Sequence, residues 1–438
     1  MWGQHEQRGQ QQQHVLLRRE RGRLPGALAA AMVLLLLASL LVLAWTRSRS
    51  GWMGLSAALL LFFLHRLRRA RARKLLVVAL PAGLALLGGL IAFKPGSSAG
   101  RMLIYRVSAR IWQDHWLWGT GSGQFKVLYN QYQAAYFSGR ELNSPEALLS
   151  DNSYYAFNDL LQWVIEHGLA GLLLAAGVAG LALRALLRAG SRRSPVQQAA
   201  AASLLSLVVA GMFSYPFQVL PLALHAVLCL AVLAGGVATA LPALPRPLRV
   251  LPRWAAAVPG LLLLLHFGEC VRVYRESEEA YAWQQTGYLN RSLDAYAALQ
   301  HSYVQESSLL YRYGEALFLA NRLQEAAPVL EEAKRRYASQ QLYKLSAQVQ
   351  AAIGREAEAE RDYRTAVFMV PNRMRSRHDL LAFYARRNDT AQVRYWSRSL
   401  LQMPVKVPSA LTAHLQQQAR NLLEGAGGAD PGYLNRNR

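Results

Sequence analysis

Basic and aromatic side chains are concentrated between residues 94 and 158. Four of them can share one side of an amphipathic helix, because they recur at helical spacing: Arg101, Tyr105, Arg106 and Trp112. Arg110 lies on the same segment. Arginine presents a planar, permanently charged group that suits phosphate oxygens, and aromatic rings stack on sugars. The pattern predicts a site for a molecule that carries both phosphate and sugar. The alternative is an interfacial helix in which Arg106 and Arg110 only touch lipid headgroups.

A second group of polar side chains stands directly before an apolar run. Asn158, Asp159 and Gln162 lie where water would meet the apolar sequence that continues from Leu169. A carboxylate at such a boundary can have a raised pKa, which would suit it to accept a proton as a base. The alternative is that Asn158 and Asp159 cap the helix that follows.

The elements that must position these groups are apolar segments that alternate with basic ones. The chain has 438 residues, of which 53% are hydrophobic, and the apolar residues are concentrated before residue 270. Uncharged segments of this kind approach the roughly 20 residues that a helix needs to cross a bilayer. Seven spans are predicted in all: 26–45, 51–64, 75–93, 168–187, 199–215, 217–240 and 254–268.

The placement of positive charge predicts the orientation of these spans. The segments 1–25, 66–74, 184–198 and 241–253 hold eighteen Lys or Arg residues and only two Glu residues. Because positively charged loops stay in the cytoplasm during insertion, the N-terminus is predicted inside and the C-terminal region outside. Residues 94–158 then form the one large external loop. Membrane lipids are predicted partners of the basic segments. A nucleic-acid-binding patch is disfavoured, because the arginines flank apolar spans instead of forming one face.

Two segments together resemble the signature region of the O-antigen ligase and polymerase family. They are Gly100–Phe125, with an arginine, an aromatic-rich helix and a glycine turn, and Ser153–Leu174, with the polar group that precedes the apolar run. The residues that match the family pattern or nearly do so are Arg101, Tyr105, Gly119, Gly121, Phe125, Asn158, Asp159, Leu161, Gln162, Glu166, Gly168 and Gly171. Tyr155 and Phe157 stand where the family usually has two histidines.

The resemblance implies transfer of a glycan from undecaprenyl diphosphate to an acceptor, without a metal or another cofactor. It implies that Arg101 stabilises the departing diphosphate. The family's second histidine is usually assigned as the base, and Phe157 cannot take a proton, so Asp159, Asp151 or Tyr155 would replace it. We predict Arg101, Asp159 and Tyr155 as catalytic residues. The predicted substrate-binding residues are Arg106, Arg110, Trp112, Asn158 and Gln162.

From about residue 269 the sequence becomes charged and its apolar residues acquire helical spacing. Asn290–Leu299 aligns with Asn321–Leu330, and Gly354 and Asn388 occupy the same turn position later, at intervals of 31, 33 and 34 residues. This region resembles three to four tetratricopeptide repeats over about 275–424. Two interpretations stay open: a docking surface for a partner protein or an acceptor glycan, and a helical spacer that stabilises the enzyme.

The sequence therefore predicts an all-α protein of the bacterial inner membrane. Its predicted parts are a cytoplasmic basic tail (1–25), a transmembrane domain (26–268), periplasmic repeats (269–424) and a flexible tail (425–438). No disulfide or metal site is expected from Cys229 and Cys270. For a ligase, the resemblance implies lipid A-core or a similar glycolipid as the acceptor. The alternatives are a polysaccharide polymerase, a protein O-glycan ligase, and a non-catalytic membrane scaffold whose repeats recruit partners. Members of the family that the chain resembles generally carry more spans ahead of the loop, so either a shortened member or an incomplete reading frame is expected.

Overall fold

A computed structural model describes residues 26–66, 74, 95–188, 194–237, 253–300, 302, 308–405 and 407–426. The predicted basic tail 1–25, the predicted span 75–93 and the end of the predicted flexible tail lie outside the described residues. The regular structure of the described residues is helical throughout, with no strand among them, and this confirms the predicted all-α class.

The helices, numbered in chain order, are α1 (Gly26–Thr46), α2 (Arg49–Arg66), α3 (Pro95–Asp114), α4 (Phe125–Phe137), α5 (Asp159–Arg188), α6 (Pro195–Gly211), α7 (Leu220–Val237), α8 (Arg253–Gln285), α9 (Leu289–Leu299), α10 (Leu309–Leu319), α11 (Leu323–Arg336), α12 (Gln340–Ala352), α13 (Glu356–Met369), α14 (Met374–Arg386), α15 (Thr390–Leu401) and α16 (Ala410–Gly425). Short 3₁₀ turns, Ala147–Leu149 and Pro216–Gln218, lie between α4 and α5 and between α6 and α7.

The helices before residue 270 present apolar side chains to their surroundings. Large side chains such as Leu34 of α1, Leu174 of α5, Leu228 of α7 and Leu264 of α8 are exposed. Within the described residues one stretch, Asp159–Gly177, is long and apolar enough to cross a bilayer, and the apolar stretches of α1, α6 and α7 are shorter. A helix that is apolar on most sides suits hydrocarbon better than water. The total of seven spans stays a prediction.

Close packing joins α2, α6 and α7. A Cβ atom at Gly54 of α2 would lie 2.7 Å from the carbonyl oxygen of Ser206 of α6, so a larger residue would force the helices apart. The Ser203 hydroxyl and the His225 ring share a hydrogen bond of 2.7 Å between α6 and α7. Small residues and interhelical hydrogen bonds are typical of helices that associate within a bilayer. The contacts place the start of α2 and the end of α6 at the same end of this group.

From α8 onward, consecutive helices pack in pairs, and we call α8 to α15 the helical pairs. Each pair turns at one residue with positive φ: Gly287, Asn321, Gly354 and Asn388. The intervals between them are 34, 33 and 34 residues. The predicted register of the first pair is wrong, because Asn290 lies inside α9 and the turn falls at Gly287. Glycine takes this left-handed conformation without steric cost, as asparagine does more weakly in the later turns.

Ala326 tests the packing of these pairs. Its side chain is fully buried on α11, which packs against α10. In the full chain, Ala326→Arg is expected to lower the free energy of unfolding of the helical pairs by about 3 kcal/mol or more, since a charge is forced into a close helix contact. Gln324→Arg, on the exposed side of the same helix, is the matched control. Thermal melting followed by circular dichroism measures both, and wild-type melting of Ala326→Arg would contradict the packing.

The predicted external loop packs directly on the helical pairs. Helix α4 lies against α13, and one hydrophobic core contains Phe125 of the loop together with Trp396 of α15. Side-chain amides of α4 bond the backbone of the pairs: Asn130 Nδ2 donates to the Ala338 carbonyl (2.6 Å) and Gln133 Nε2 donates to the Met369 carbonyl. The sequence placed the loop and the repeats in separate parts, whereas the structure gives them a common core.

Arg377 of α14 is fully buried and fastens the loop to the helical pairs. Its Nη2 donates to the Leu142 carbonyl (2.7 Å) and its Nη1 to Asn143 Oδ1 (2.8 Å), both in the loop. The same guanidinium donates to the Pro371 carbonyl and to Ser399. These acceptors are neutral, and burial lowers the pKa of Arg377 to about 10. The side chain therefore stays charged at neutral pH while hydrogen bonds alone compensate its desolvation.

Candidate functional site

Arg101 lies beside a second arginine, Arg49. It is half-buried on α3, with its guanidinium carbon 5.5 Å from the centre of the Phe157 ring. Arg49, the first residue of α2, donates from Nη1 to Ser98 Oγ (3.2 Å) on the same helix as Arg101. Burial, and secondly the charge of Arg49, lower the pKa of Arg101 from its usual value. Within the described residues Arg101 pairs with no carboxylate. Two neighbouring cations in this setting favour a bound anion.

Aromatic rings form a wall next to these arginines. Tyr155 stacks on Tyr215 with ring centres 4.4 Å apart and planes 12° apart. Phe157 meets Tyr215 edge to face at 5.3 Å. Phe157 also has a φ of 53°, which is uncommon for a residue with a Cβ and marks a constrained backbone. Arg101 lies over Phe157, and Tyr155 and Phe157 both pack on Tyr215. The predicted catalytic residues Arg101 and Tyr155 therefore contact the same group of aromatic rings. The catalytic role of Tyr155 stays a prediction.

Asn158 and Asp159 have different partners. Asn158 Oδ1 accepts from the Leu161 amide (3.0 Å) and so caps α5. Asp159 Oδ2 accepts instead from the Phe217 amide (3.1 Å), in the connection between α6 and α7. Asp159 Oδ1 is buried and has no hydrogen-bond partner among the described residues. The capping interpretation thus applies to Asn158, while Asp159 holds a neighbouring connection and keeps one acceptor oxygen unused.

The substitution Asp159→Asn distinguishes two roles of Asp159, a catalytic base and a structural contact to the α6–α7 connection. The amide oxygen can still accept from the Phe217 amide, so folding and membrane yield should stay close to wild type. If Asp159 takes the proton of the acceptor, transfer should fall about 100-fold or more, because an amide cannot act as the base. Transfer is measured at matched protein levels. Activity within a few-fold of wild type would limit Asp159 to anchoring the α6–α7 connection.

The glycine turn packs against a break in α5. Gly119 and Gly168 both have positive φ, and a Cβ on either would lie 2.4 Å from a backbone oxygen of the other segment. Hydrogen bonds from the Thr120 and Gly121 amides to α5 carbonyls, at 3.0 and 2.9 Å, complete the contact. The predicted tight turn is therefore present, and glycine is required because the two backbones touch.

Glu166 fixes the start of α4 at this turn. Its carboxylate accepts from the Gly123 amide (3.0 Å) and the Phe125 amide (3.4 Å), which are otherwise unpaired at the helix N-terminus. Gln162 is buried between this carboxylate and the polar segment before α5. It donates to Glu166 Oε1 (3.1 Å) and accepts from the Ala156 amide (3.1 Å). Both ends of Gln162 are thus bonded within the protein, so its predicted contact with substrate stays a prediction and its observed contacts position the turn.

The remaining predicted substrate-binding residues lie away from Arg101. Arg106 Nη1 pairs with Glu146 Oε1 at 2.8 Å, and the Arg110 guanidinium lies over the Tyr136 ring at 4.7 Å. Arg101 and Arg106 are five residues apart, which turns their side chains by about 140° on a helix, so they do not share one face as predicted. Trp112 is 41% exposed near the end of α3. These contacts place Arg106 and Arg110 at the outer surface of the loop, toward Glu146 and Tyr136.

The sequence did not single out Arg49 or the Tyr215–Phe217 segment. Arg49 lies in the short connection between the first two predicted spans, and Tyr215–Phe217 lies where the fifth and sixth spans meet. In the predicted topology both connections face the same side as the large loop. The predicted topology could therefore have pointed to these residues, because all connections on the same side of the membrane can contribute to one site.

Among the described residues, no group of three or more His, Cys, Asp or Glu side chains could hold a metal ion. Residues 31–176 match the family model described as O-antigen ligase. The matched region covers about a third of the chain and contains Arg49, Arg101 and Asp159, while the helical pairs lie outside it. The match supports the ligase family for this region. No curated protein matches the chain.

Proposed function

We propose, from the premise that residues 31–176 match O-antigen ligases, that this protein transfers a glycan from undecaprenyl diphosphate to an acceptor at the periplasmic face of the inner membrane. The observation that carries the proposal is the juxtaposition of Arg101 and Arg49 beside an aromatic wall, with no carboxylate on Arg101 within the described residues. A diphosphate would offset the repulsion between the two cations and would accept their planar hydrogen bonds.

In the proposed reaction a hydroxyl of the acceptor attacks the anomeric carbon of the lipid-linked sugar. Its proton passes to the carboxylate of Asp159 as the new C–O bond forms. The bond between the anomeric carbon and the diphosphate breaks, and the electron pair leaves with undecaprenyl diphosphate. Arg101 and Arg49 stabilise the negative charge that develops there. Tyr155 and Tyr215 present flat rings against which a sugar can stack.

A ligase, a polymerase and a protein O-glycan ligase differ in the acceptor that they use. A polymerase uses a second lipid-linked glycan as the acceptor, and a protein O-glycan ligase uses a hydroxyl side chain. Deletion of the gene in its host, followed by electrophoresis of lipopolysaccharide, tests the proposal. We expect loss of long-chain material and accumulation of lipid-linked glycan. Retention of a single repeat on the core would indicate a polymerase, and an unchanged profile would favour the non-catalytic scaffold.

The orientation of the chain gives an independent prediction. A reporter that is active only in the periplasm should work when fused after Lys94, Phe217 or Arg275, because these positions follow outward-running spans. It should fail after the basic positions Lys74, Arg193 and Arg249. Measured activity after Arg193 would remove the external assignment of the loop, and with it the proposed site.

We further propose that the helical pairs form a solenoid of the tetratricopeptide type in the periplasm. The support is the spacing of the turn residues at 33 to 34 residues and the pairwise packing of the helices. Their contact with α4 and with residues 142–143 favours a role in holding the loop of the same chain. This contact favours the interpretation of the repeats as a helical spacer that stabilises the enzyme.

A further inference from the structure

A cleft of about 650 Å³ lies where α4 meets α11, α12 and α13. Its floor contains a buried cation whose charge is already compensated. Lys334 pairs with Glu331 (2.8 Å) and with the buried Asp362, and its ammonium lies 5.1 Å from the centre of the Tyr343 ring. The floor is therefore polar, and the ion pair between Lys334 and Asp362 within it has low exposure. The volume lies within the range of small-molecule pockets, about 300–1,000 Å³.

The walls of the cleft carry amide and hydroxyl groups. Gln131 of α4 donates to the Tyr343 hydroxyl at 3.3 Å. Gln350 is 2% exposed and donates from Nε2 to Glu331 (3.1 Å), while its Oε1 has no hydrogen-bond partner among the described residues. A buried acceptor without a donor is uncommon in native proteins. Groups of this kind pair with the many hydroxyls of a sugar chain, and Tyr343 offers an aromatic ring next to them.

The rim of the cleft is more basic than acidic. Arg355 and Arg361 of the α13 region are exposed, and in the part of the chain that the structure describes their side chains make no ion pair or hydrogen bond. Arg335 also lines the cleft but pairs with Glu332 at 3.2 Å, and the carboxylates that line the cleft are Glu331, Glu358 and Asp362. Unpaired guanidinium groups suit carboxylate or phosphate substituents.

We propose that this cleft binds a segment of an acidic oligosaccharide, one that carries carboxylate or phosphate groups. The proposal rests on the proposed function, because the segment would belong to the glycan that is transferred or to its acceptor. Position supports this: Gln124 lines the cleft and directly precedes the first residues of α4, which Glu166 of α5 holds at the glycine turn. One end of the cleft therefore lies next to the glycine turn, which packs on α5, the helix that begins at Asp159.

Binding by the full-length protein in nanodiscs tests the cleft separately from catalysis. The probes are the acidic oligosaccharides released from the host's lipopolysaccharide by mild acid, and maltotriose as an uncharged sugar. We expect the acidic probe to bind more tightly than maltotriose and to weaken as salt is raised. The double variant Arg355→Ser/Arg361→Ser should raise its Kd about tenfold or more, since two charged hydrogen-bonding groups are lost. Arg420→Ser, an exposed arginine on α16, should leave the Kd unchanged.

Three results would overturn the cleft assignment: no binding of the acidic probe, equal affinity for maltotriose, or an unchanged Kd in the double variant. The failure of the proposed function looks different. Arg101→Ala should keep the wild-type Kd for the acidic probe and lose transfer. If the wild-type protein binds the probe through Arg355 and Arg361 and yet transfers no glycan, the cleft stands and the proposed reaction is wrong.

Discussion

Arg101→Ala is expected to reduce glycan transfer by about 100-fold or more, by analogy with the removal of one preorganised donor to developing charge. The reason is the position of Arg101 beside Arg49, where a departing diphosphate would be stabilised by both. Transfer is measured in nanodiscs with a lipid-linked glycan and a purified acceptor, at matched protein levels. Arg420→Ala, far along the chain and exposed, is the control and should retain wild-type transfer.

Arg101→Lys distinguishes diphosphate binding from simple contact with headgroups. Lysine keeps the charge but loses the planar pair of donors, so the variant should remain clearly impaired. If Arg101 only touched lipid headgroups, lysine would restore transfer almost fully and alanine would mainly lower the membrane yield. Full activity in both Arg101→Ala and Asp159→Asn would refute the catalytic assignment and favour the non-catalytic scaffold.

Arg377→Met should release the external loop from the helical pairs. The change leaves the Leu142 and Pro371 carbonyls without their donor, and each buried unsatisfied group costs about 1–3 kcal/mol. We therefore expect the contact between loop and pairs to weaken by about 3 kcal/mol or more, and transfer to fall with it, because α4 and the glycine turn are held by the same packing. Limited proteolysis should cut near residues 138–146, and the transfer assay should report the loss of activity.

Arg375→Met is the matched control for this experiment. Arg375 lies on the same helix and is exposed, and its partner Asp379, which is largely buried, keeps Lys344 at 4.0 Å when Arg375 is removed, so we expect the change to cost about 0–1 kcal/mol. The control should keep its protease resistance and its activity. Wild-type resistance of Arg377→Met would show that the hydrophobic core shared by loop and pairs holds the loop without the guanidinium.

Local features of this protein could be predicted from its sequence, and long-range contacts could not. The glycine turn and three of the four turn residues of the helical pairs follow from local backbone preferences, whereas the break at Gly168 of α5 was not predicted. Gly287 was missed because the dipeptide Asn290-Arg291 has the same sequence as Asn321-Arg322, which does form a turn. Arg377 lies in a charged helical segment, so its sequence context predicts a surface residue. Its acceptor at Leu142 lies 235 residues earlier in the chain, and local sequence cannot show that contact. Arg49 was missed for the same reason: its neighbour Arg101 belongs to another helix.

The shared core also sets an order of events during synthesis. The loop is synthesised long before α12 to α16, which supply the other half of its packing. Until those helices follow, the apolar residues of the loop pack only on one another, and the segment between α4 and α5 lacks its hydrogen bonds to Arg377. Contacts this distant in sequence form late. We therefore expect a chain that is interrupted during translation to keep Arg49 and Arg101 but to have its loop detached from the helical pairs and open to proteases.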